Sequence, residues 1–335
     1  MSKYTPTRPY ESKLGIRDTQ RAIKMVKDAF QIRLAAALNL DRVTAPVMVE
    51  AGKGINDDLS GVERKVSFDA KNVGVTVEIV QSLAKWKRMQ LAFFGYDSGE
   101  GLYTDMNAVR RDDDVDNLHS LFVDQWDWER VITREERTRE FLHSIVEEIV
   151  NTLADVKELV KQKYPSLTGK IERKVFFVTT EELLAMYPGM TAKERENAVT
   201  QAHGTVFLEG IGAPLSNGKP HDSRAPDYDD WSLNGDILVW DEVLGCAMEI
   251  SSMGIRVDAE SLDKQLTASG HDDRRGLEYH RGVLEGRYPL TIGGGIGQSR
   301  LCMLLLEKAH IGEVQSSVWP QSMRDELAEE NIYLL

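Results

Sequence analysis

Cysteine is scarce in this chain. Of its 335 residues only Cys246 and Cys302 are cysteines, and no Cys-x-x-Cys pair exists. The seven histidines show no metal-ligand spacing either, so neither a disulfide framework nor a dedicated zinc site is expected. Two lone thiols fit a reducing compartment. No apolar run approaches the ~18–20 residues that span a bilayer. Met1 to Tyr10 lacks the apolar centre of a secretory signal. A cytoplasmic location with no membrane partner is therefore expected. Positive charge is also in deficit: 41 Lys and Arg against 54 Asp and Glu give a formal net charge of -13. Such a chain is repelled by nucleic-acid phosphates unless its basic residues cluster. The basic runs are short, and no nucleic-acid partner is expected. The densest, Lys85-Trp86-Lys87-Arg88, reads either as a solvated helix face or as a ligand contact.

What is present is ordinary for a globular enzyme, with 41% apolar and 28% charged residues. A chain of this length buries a core without needing a disulfide or a metal. There is no internal repeat, low-complexity tract or evident linker, so one domain over residues 1–335 is expected, with an irregular arm over 1–15. Between Arg17 and Asn39, Ile23, Val26, Phe30, Leu34, Ala37 and Leu38 recur at helical spacing. Further helices are expected at 82–93, 134–163, 180–186, 191–202, 260–285 and 298–309. Strands are expected at Val43 to Val49, where Pro46 points to an edge, and at 62–69, 74–81, 118–128, 173–178, 205–209, 236–241, 245–252 and 289–297. Residues 52–58 and 210–235 read as loops. The strands follow one another without regular βαβ alternation. That pattern predicts an α+β fold, an antiparallel sheet flanked by helices.

Four segments carry candidate chemistry. Gly293-Gly294-Gly295-Ile296-Gly297 runs into a helix with Arg300 in its first turn. The missing Cβ atoms permit close approach of a backbone or a flat ligand, and a helix start plus a guanidinium favours an anion. Tight strand–helix packing with a surface arginine would look the same. In Val123 to Glu129 a strand would put Gln125, Asp127 and Glu129 on one face and Trp126, Trp128 and Asp124 on the other. That fits a cleft floor, or a sheet with one wet face. Asp236 and Glu249 are acids among apolar neighbours, suited to magnesium bridged by phosphates or to strand ends in water. The acidic stretch Asp227-Tyr228-Asp229-Asp230-Trp231, like Asp57-Asp58, fits either an ammonium cradle or a solvated loop.

Taken in order, these segments resemble the three signature motifs of class II aminoacyl-tRNA synthetases. Arg42 to Met48 after the long helix is similar to the first. Val109-Arg110-Arg111-Asp112, with His119 and Gln125 to Glu129, is similar to the second. Gly293 to Arg300 is similar to the third. The chain resembles the ammonia-dependent asparagine synthetase A family more closely still. That resemblance rests on Ser82 to Arg88, Gly99 to Thr104, Val123 to Arg130, Arg224 to Trp231, Ser251 to Val257 and Gly293 to Leu301. It departs from the synthetase pattern at Asp112, where Glu is usual, at Gln298-Ser299, and in a short loop between Trp231 and Asn234.

The resemblance implies a synthetase-like catalytic domain, a homodimer on the first-motif helix, and ATP-dependent amidation of aspartate by ammonia through β-aspartyl-AMP. It places Arg110 on the α-phosphate and Arg300 on the nucleotide, with Ser252, Gly295 and Gly297 beside it and Asp236 and Glu249 holding Mg2+. It places Ser82, Lys85, Lys87, Ser251 and Arg256 around aspartate. Asp57, Gln125, Asp127 and Asp229 would read the substrate ammonium or steer ammonia. Ammonia rather than glutamine is expected as donor, since glutamine use needs a nucleophilic cysteine and both cysteines fall inside predicted apolar elements. A relative that charges tRNA or modifies a protein, and a non-catalytic amino-acid sensor, are the other readings.

Overall fold

Apolar residues three and four apart build the two longest helices, and both lie on the same side of one large sheet. The computed structural model describes residues 10–57 and 64–335. The first half of the chain runs α1 (Ile16–Leu38), β1 (Leu40–Arg42), β2 (Met48–Glu50), β3 (Ser67–Ala70), β4 (Val75–Ile79), α2 (Ala84–Phe94), β5 (Gly101–Val109), β6 (Phe122–Val131) and α3 (Arg139–Lys163). The second half runs β7 (Phe176–Thr179), α4 (Thr180–Met186), α5 (Ala192–His203), β8 (Thr205–Glu209), β9 (Asp229–Asp241), β10 (Cys246–Arg256), α6 (Ala259–Ala268), α7 (Glu278–Leu284), β11 (Thr291–Gly297), α8 (Gln298–Leu305) and α9 (Gln321–Glu329).

Eight strands form the main sheet in the order β1-β5-β6-β11-β10-β9-β8-β7, and β2-β4-β3 form a small separate one. The expected antiparallel sheet is in fact mixed. β5 through β8 pair antiparallel across the middle, but β1 lies parallel to β5 and β7 parallel to β8. Parallel neighbours need a long crossover; α4 and α5 supply it at one edge, and the small sheet with α2 supplies it at the other.

Residues Ala22, Val26, Phe30 and Leu34 of α1 and Ile145, Ile149, Leu153 and Val156 of α3 pack with α8 beneath the sheet. Phe30 meets Trp126 with ring centroids 4.9 Å apart. Each fully buried side chain of this size contributes about 1.5–3 kcal/mol. Thr138 caps α3 by accepting a hydrogen bond from the Phe141 amide, and Lys161 and Lys163 sit favourably in its last turn. On the opposite face, α4 and α5 cover β7 to β9 through Leu183, Val199, Leu208 and Leu238. Around the other side of that face lie α2, with Leu91 and with Leu83 just before it, and α6 and α7, with Leu262 and Val283. Between these groups the face of β6, β11 and β10 lines a cavity.

Three further differences from expectation have physical causes. β5 was not expected; Gly101 to Met106 are buried or nearly so without alternation, so no period of two is visible. β9 starts at Asp229, so the loop over 210–235 is shorter and Trp231 to Asn234 are strand, not loop. Residues 260–285 break into α6, a 3-10 turn at Asp272–Gly276 and α7. The start of the strand expected at 62–69, and most of the 1–15 arm, lie outside the described residues.

Candidate active site

Strand β6 forms the floor by simple alternation. Trp126 and Trp128 enter the core beneath, while Gln125 and Asp127 face the cavity and Glu129 lies buried further along the same face. β11 lies beside it with Gly293 opposite Glu129 and Gly295 opposite Asp127. A Cβ on Gly293 would stand 2.0 Å from the Glu129 carboxylate and 2.6 Å from Arg256 Nη2; one on Gly295 would stand 2.4 Å from Gln125 Oε1. The glycines are therefore needed because neighbouring polar side chains lie flat across the strand.

On β10 the pairing with β9 jumps between Glu249 and Ser251, leaving Ile250 as the extra residue of a β-bulge. Side-chain alternation restarts there, so Glu249 and Ser252 both face the cavity. The cavity, about 370 Å³, gathers residues from distant stretches: Asp57, Ser82, Arg110, Gln125, Asp127, Asp229, Glu249, Ser252, Arg256, Gly295, Gly297 and Arg300. Arg300 Nη1 donates to the Glu249 carbonyl at 3.0 Å and lies 3.9 Å from its carboxylate. Arg110 Nη1 lies 4.0 Å from Asp113. Its neighbour Asp112 turns away and accepts from the backbone and side chain of Arg64. Asp124 accepts from the Ser299 amide at 3.1 Å and from Lys27 at 2.9 Å, fixing the start of α8 beside Arg300.

Arg256 is fully engaged. Nε and Nη2 grip Glu129 at 2.8–3.1 Å and Nη1 bonds Asp229, with the Tyr228 ring centroid 5.8 Å away. Burial would raise the Glu129 carboxyl, but the nearby Arg256 and Lys87 charges outweigh it and hold it below the usual range. Thr291 adds a hydrogen bond to Glu129 at 2.7 Å.

Four residues expected at the site do not line the cavity. Ser251 is turned off the wall by the bulge. Lys87 is fully buried between α2 and the floor, beside the cavity, where its ammonium bonds the Asp127 carboxylate, the Trp128 carbonyl at 2.7 Å and the Gly294 carbonyl at 3.2 Å. Lys85 is buried against Asp227 at 2.9 Å. With Arg88 bonded to the Val257 and Pro289 carbonyls, the Lys/Trp/Lys/Arg run is not a solvated face. Asp236 lies behind Arg224, whose Nη2 donates to it at 2.7 Å and whose Nη1 donates to Ser252 at 2.6 Å. Arg224 lines the cavity and was missed by motif reading; it opens the acidic block Arg224 to Trp231, which was its only signal.

Asp236 and Glu249 sit mid-strand on adjacent β9 and β10, not at strand ends. Burial, partly offset by Arg224 and reinforced by Glu249, pushes Asp236 up to about 7. Among the described residues no group of three or more His, Cys, Asp or Glu is arranged for a metal. Two carboxylates that repel each other fit a magnesium ion completed by phosphate oxygens and water, and do not fit a closed all-protein site. Both cysteines are buried, and burial pushes each thiol up to about 12.

The mixed sheet with its glycine strand, helix-borne arginine and arginine-lined cleft has the catalytic fold of class II aminoacyl-tRNA synthetases. Asparaginyl-tRNA synthetase of Entamoeba histolytica, solved with asparaginyl-adenylate, superposes with a TM-score of 0.67 at 14% identity, over 90% of this chain and 66% of that one. The Pyrococcus horikoshii asparaginyl-tRNA synthetase complexed with asparaginyl-adenylate gives a TM-score of 0.63 at 17% identity, over 91% and 71%. The chain thus spans about two thirds of these synthetases' length.

Within that fold the particular family is clear. The family model described as Aspartate-ammonia ligase matches residues 17–331, and the chain belongs to this family. The aspartate–ammonia ligase of Levilactobacillus brevis is 54% identical over 327 residues, 97% of this chain and 98% of that one. That of Bacillus cereus (strain B4264) is 53% identical over 325 residues, 97% and 99%.

Proposed function

We propose that the protein makes asparagine from aspartate and ammonia, using ATP and releasing AMP and pyrophosphate. A carboxylate is a poor electrophile until its oxygen carries a good leaving group. One side-chain carboxylate oxygen of aspartate attacks the α-phosphorus of ATP; the bond to the β-phosphate oxygen breaks and pyrophosphate leaves. Ammonia then attacks the side-chain acyl carbon, AMP leaves, and the nitrogen gives up a proton. Arg110 and Arg300 balance phosphate charge as it develops, which is where fixed cations act most strongly. Arg256, with Asp229, Asp57, Gln125 and Asp127, orients aspartate; Arg256, already held by Glu129 and Asp229, contributes fixed positive charge rather than a vacant fork. Ser82 and Ser252 add hydrogen-bond donors to the wall, and Gly295 and Gly297 leave room beside the nucleotide. Glu249 on the cavity wall would hold Mg2+, with Asp236 joining it only where Arg224 gives way; when bound, the ion would neutralise phosphate charge.

The observation that carries this reading is the convergence of Arg110, Glu249 and Arg300 with Arg256 and Asp229 on one cavity. It extends to one catalytic domain over the chain, a cytoplasmic location and a homodimer. Among the described residues no helix is long and apolar enough to cross a membrane. Ile16 and Ile32 of α1, and Val47 and Met48 after it, are exposed apolar residues. The test is product analysis with aspartate, ATP, Mg2+ and ammonium, with and without tRNA. Asparagine and AMP are expected in equal amounts without tRNA. AMP formation that requires tRNA, or aspartate binding without AMP, would overturn the reading.

A further inference from the structure

Behind the cavity wall a buried ion pair connects the two acidic stretches that line it. Asp227 is fully buried, and its Oδ2 accepts from Lys85 Nζ at 2.9 Å, Arg274 Nη1 at 3.0 Å and His280 Nε2 at 2.9 Å. These donors come from α2, from the 3-10 turn and from α7. The Lys85 ammonium also lies 3.4 Å from the Asn56 carbonyl. Asn56 is itself pinned: its amide nitrogen donates to the Ile79 carbonyl at 3.0 Å and to Glu78 at 3.1 Å. Its side-chain oxygen accepts from the amides of Asp57 and Gln81 at 3.0 and 2.9 Å. One ammonium therefore spans the segment that carries Asp57 and the segment that carries Tyr228 and Asp229.

The second segment is held along its length. Gln265 Nε2 donates to the Pro226 and Asp229 carbonyls, both at 2.9 Å, and the Val257 amide donates to the Tyr228 carbonyl at 2.9 Å. Burial first, then Asp57 and Asp229, push the Tyr228 hydroxyl well above its ordinary range, so both carboxylates act on the same group. Asp57, Tyr228 and Asp229 all line the cavity, whereas Lys85 and Asp227 do not.

We propose that Lys85 and Asp227 are positioning residues, a buried clamp that fixes the spacing of Asp57 and Asp229 and so shapes the place that takes the ammonium group of aspartate. The inference rests on the aspartate-binding reading above. Small misplacements of a binding group are costly in a preorganised site. A clamp of this kind changes aspartate use while leaving the nucleotide end, built on Arg110 and Arg300, untouched. A pair that only held the fold together would instead lower stability and disturb both substrates alike.

The test compares Asp227→Asn, Lys85→Met, Lys85→Arg and the double variant Asp227→Asn/Lys85→Met in steady-state kinetics. Each of Asp227→Asn and Lys85→Met is expected to raise the aspartate KM about tenfold or more, with the ATP KM within about twofold. Lys85→Arg keeps the cation and is expected to recover part of the loss. The double variant removes both members of the pair, so its loss is expected to fall well short of the product of the two single losses. Should Asp227→Asn fail to fold, Lys85→Met and the double variant carry the comparison. An unchanged aspartate KM, an equal rise for both substrates, or strictly multiplicative losses would overturn the clamp. If the unaltered protein makes no asparagine, the earlier reading fails instead.

Discussion

Replacing Arg256 by Met strands two buried carboxylates, and the expected damage depends on pH in a way that isolates the cause. Arg256 makes three contacts to Glu129 and one to Asp229, all out of solvent. Removing one partner of a buried pair costs about 3–5 kcal/mol, because the remaining charge is left unpaired. Lys87, 3.7 Å from Glu129, offsets part of it. In the native protein Glu129 is depressed, with Arg256 the strongest of the influences that lower it. A depressed carboxyl contributes stability above its unfolded pKa of about 4.3 and loses it as pH falls through the folded value. In Arg256→Met burial dominates, and the folded Glu129 carboxyl rises above the unfolded value. Its contribution is then favourable below about 4.3 and is lost as pH rises through the new folded value. The destabilisation should therefore be about 3–5 kcal/mol at pH 8 and smaller by about 1–2 kcal/mol near pH 5. Urea unfolding of ligand-free protein, followed by the fluorescence of its six tryptophans at fixed concentration, reads both values. An equal loss at the two pH values, or one below about 1 kcal/mol at pH 8, would refute the reasoning.

Arg110→Ala should slow AMP formation by about 10²–10³-fold, as loss of a preorganised charge-stabilising donor does, and near-normal pyrophosphate exchange would contradict its role. Gly295→Ala places a methyl 2.4 Å from Gln125 Oε1 and should displace that side chain. It is expected to cost about 1–3 kcal/mol in unfolding and to raise the aspartate KM; an unchanged aspartate KM would sink the prediction. Glu249→Gln should shift the Mg2+ concentration for half-maximal activity upward by about tenfold, and chelation should abolish AMP formation in the unaltered protein; a metal-independent rate would exclude that role. With both thiols pushed up to about 12 by burial, they stay protonated below that pH. Iodoacetamide at pH 8 should leave Cys246 and Cys302 of the folded protein unmodified by mass spectrometry, and glutamine should not replace ammonium.

The floor of the site was legible because β6 alternates cleanly: Gln125 and Asp127 face one way, Trp126 and Trp128 the other. Arg110, Glu249, Arg256 and Arg300 were legible through motifs that fix their order. Lys85 and Lys87 were misplaced because a motif gives neighbourhood, not depth. Whether an ammonium reaches substrate or a buried carboxylate depends on Asp227, from the turn before β9, and Asp127, from β6. Ser251 was misplaced because a one-residue bulge leaves no mark in composition. Arg224 escaped because a single arginine before an acidic loop has no spacing to betray it. The parallel edges of the sheet depend on crossover paths, and β5 is polar enough in Thr104, Asp105 and Asn107 to hide a strand sequestered between neighbours.

The unpaired Ile250 makes β10 behave as two shorter pieces spliced together. Upstream of the splice the strand presents Glu249 to the cavity; downstream it presents Ser252 and Arg256 to the same cavity. A lineage can thus change side chains of the downstream piece that face the cavity without re-registering the upstream piece.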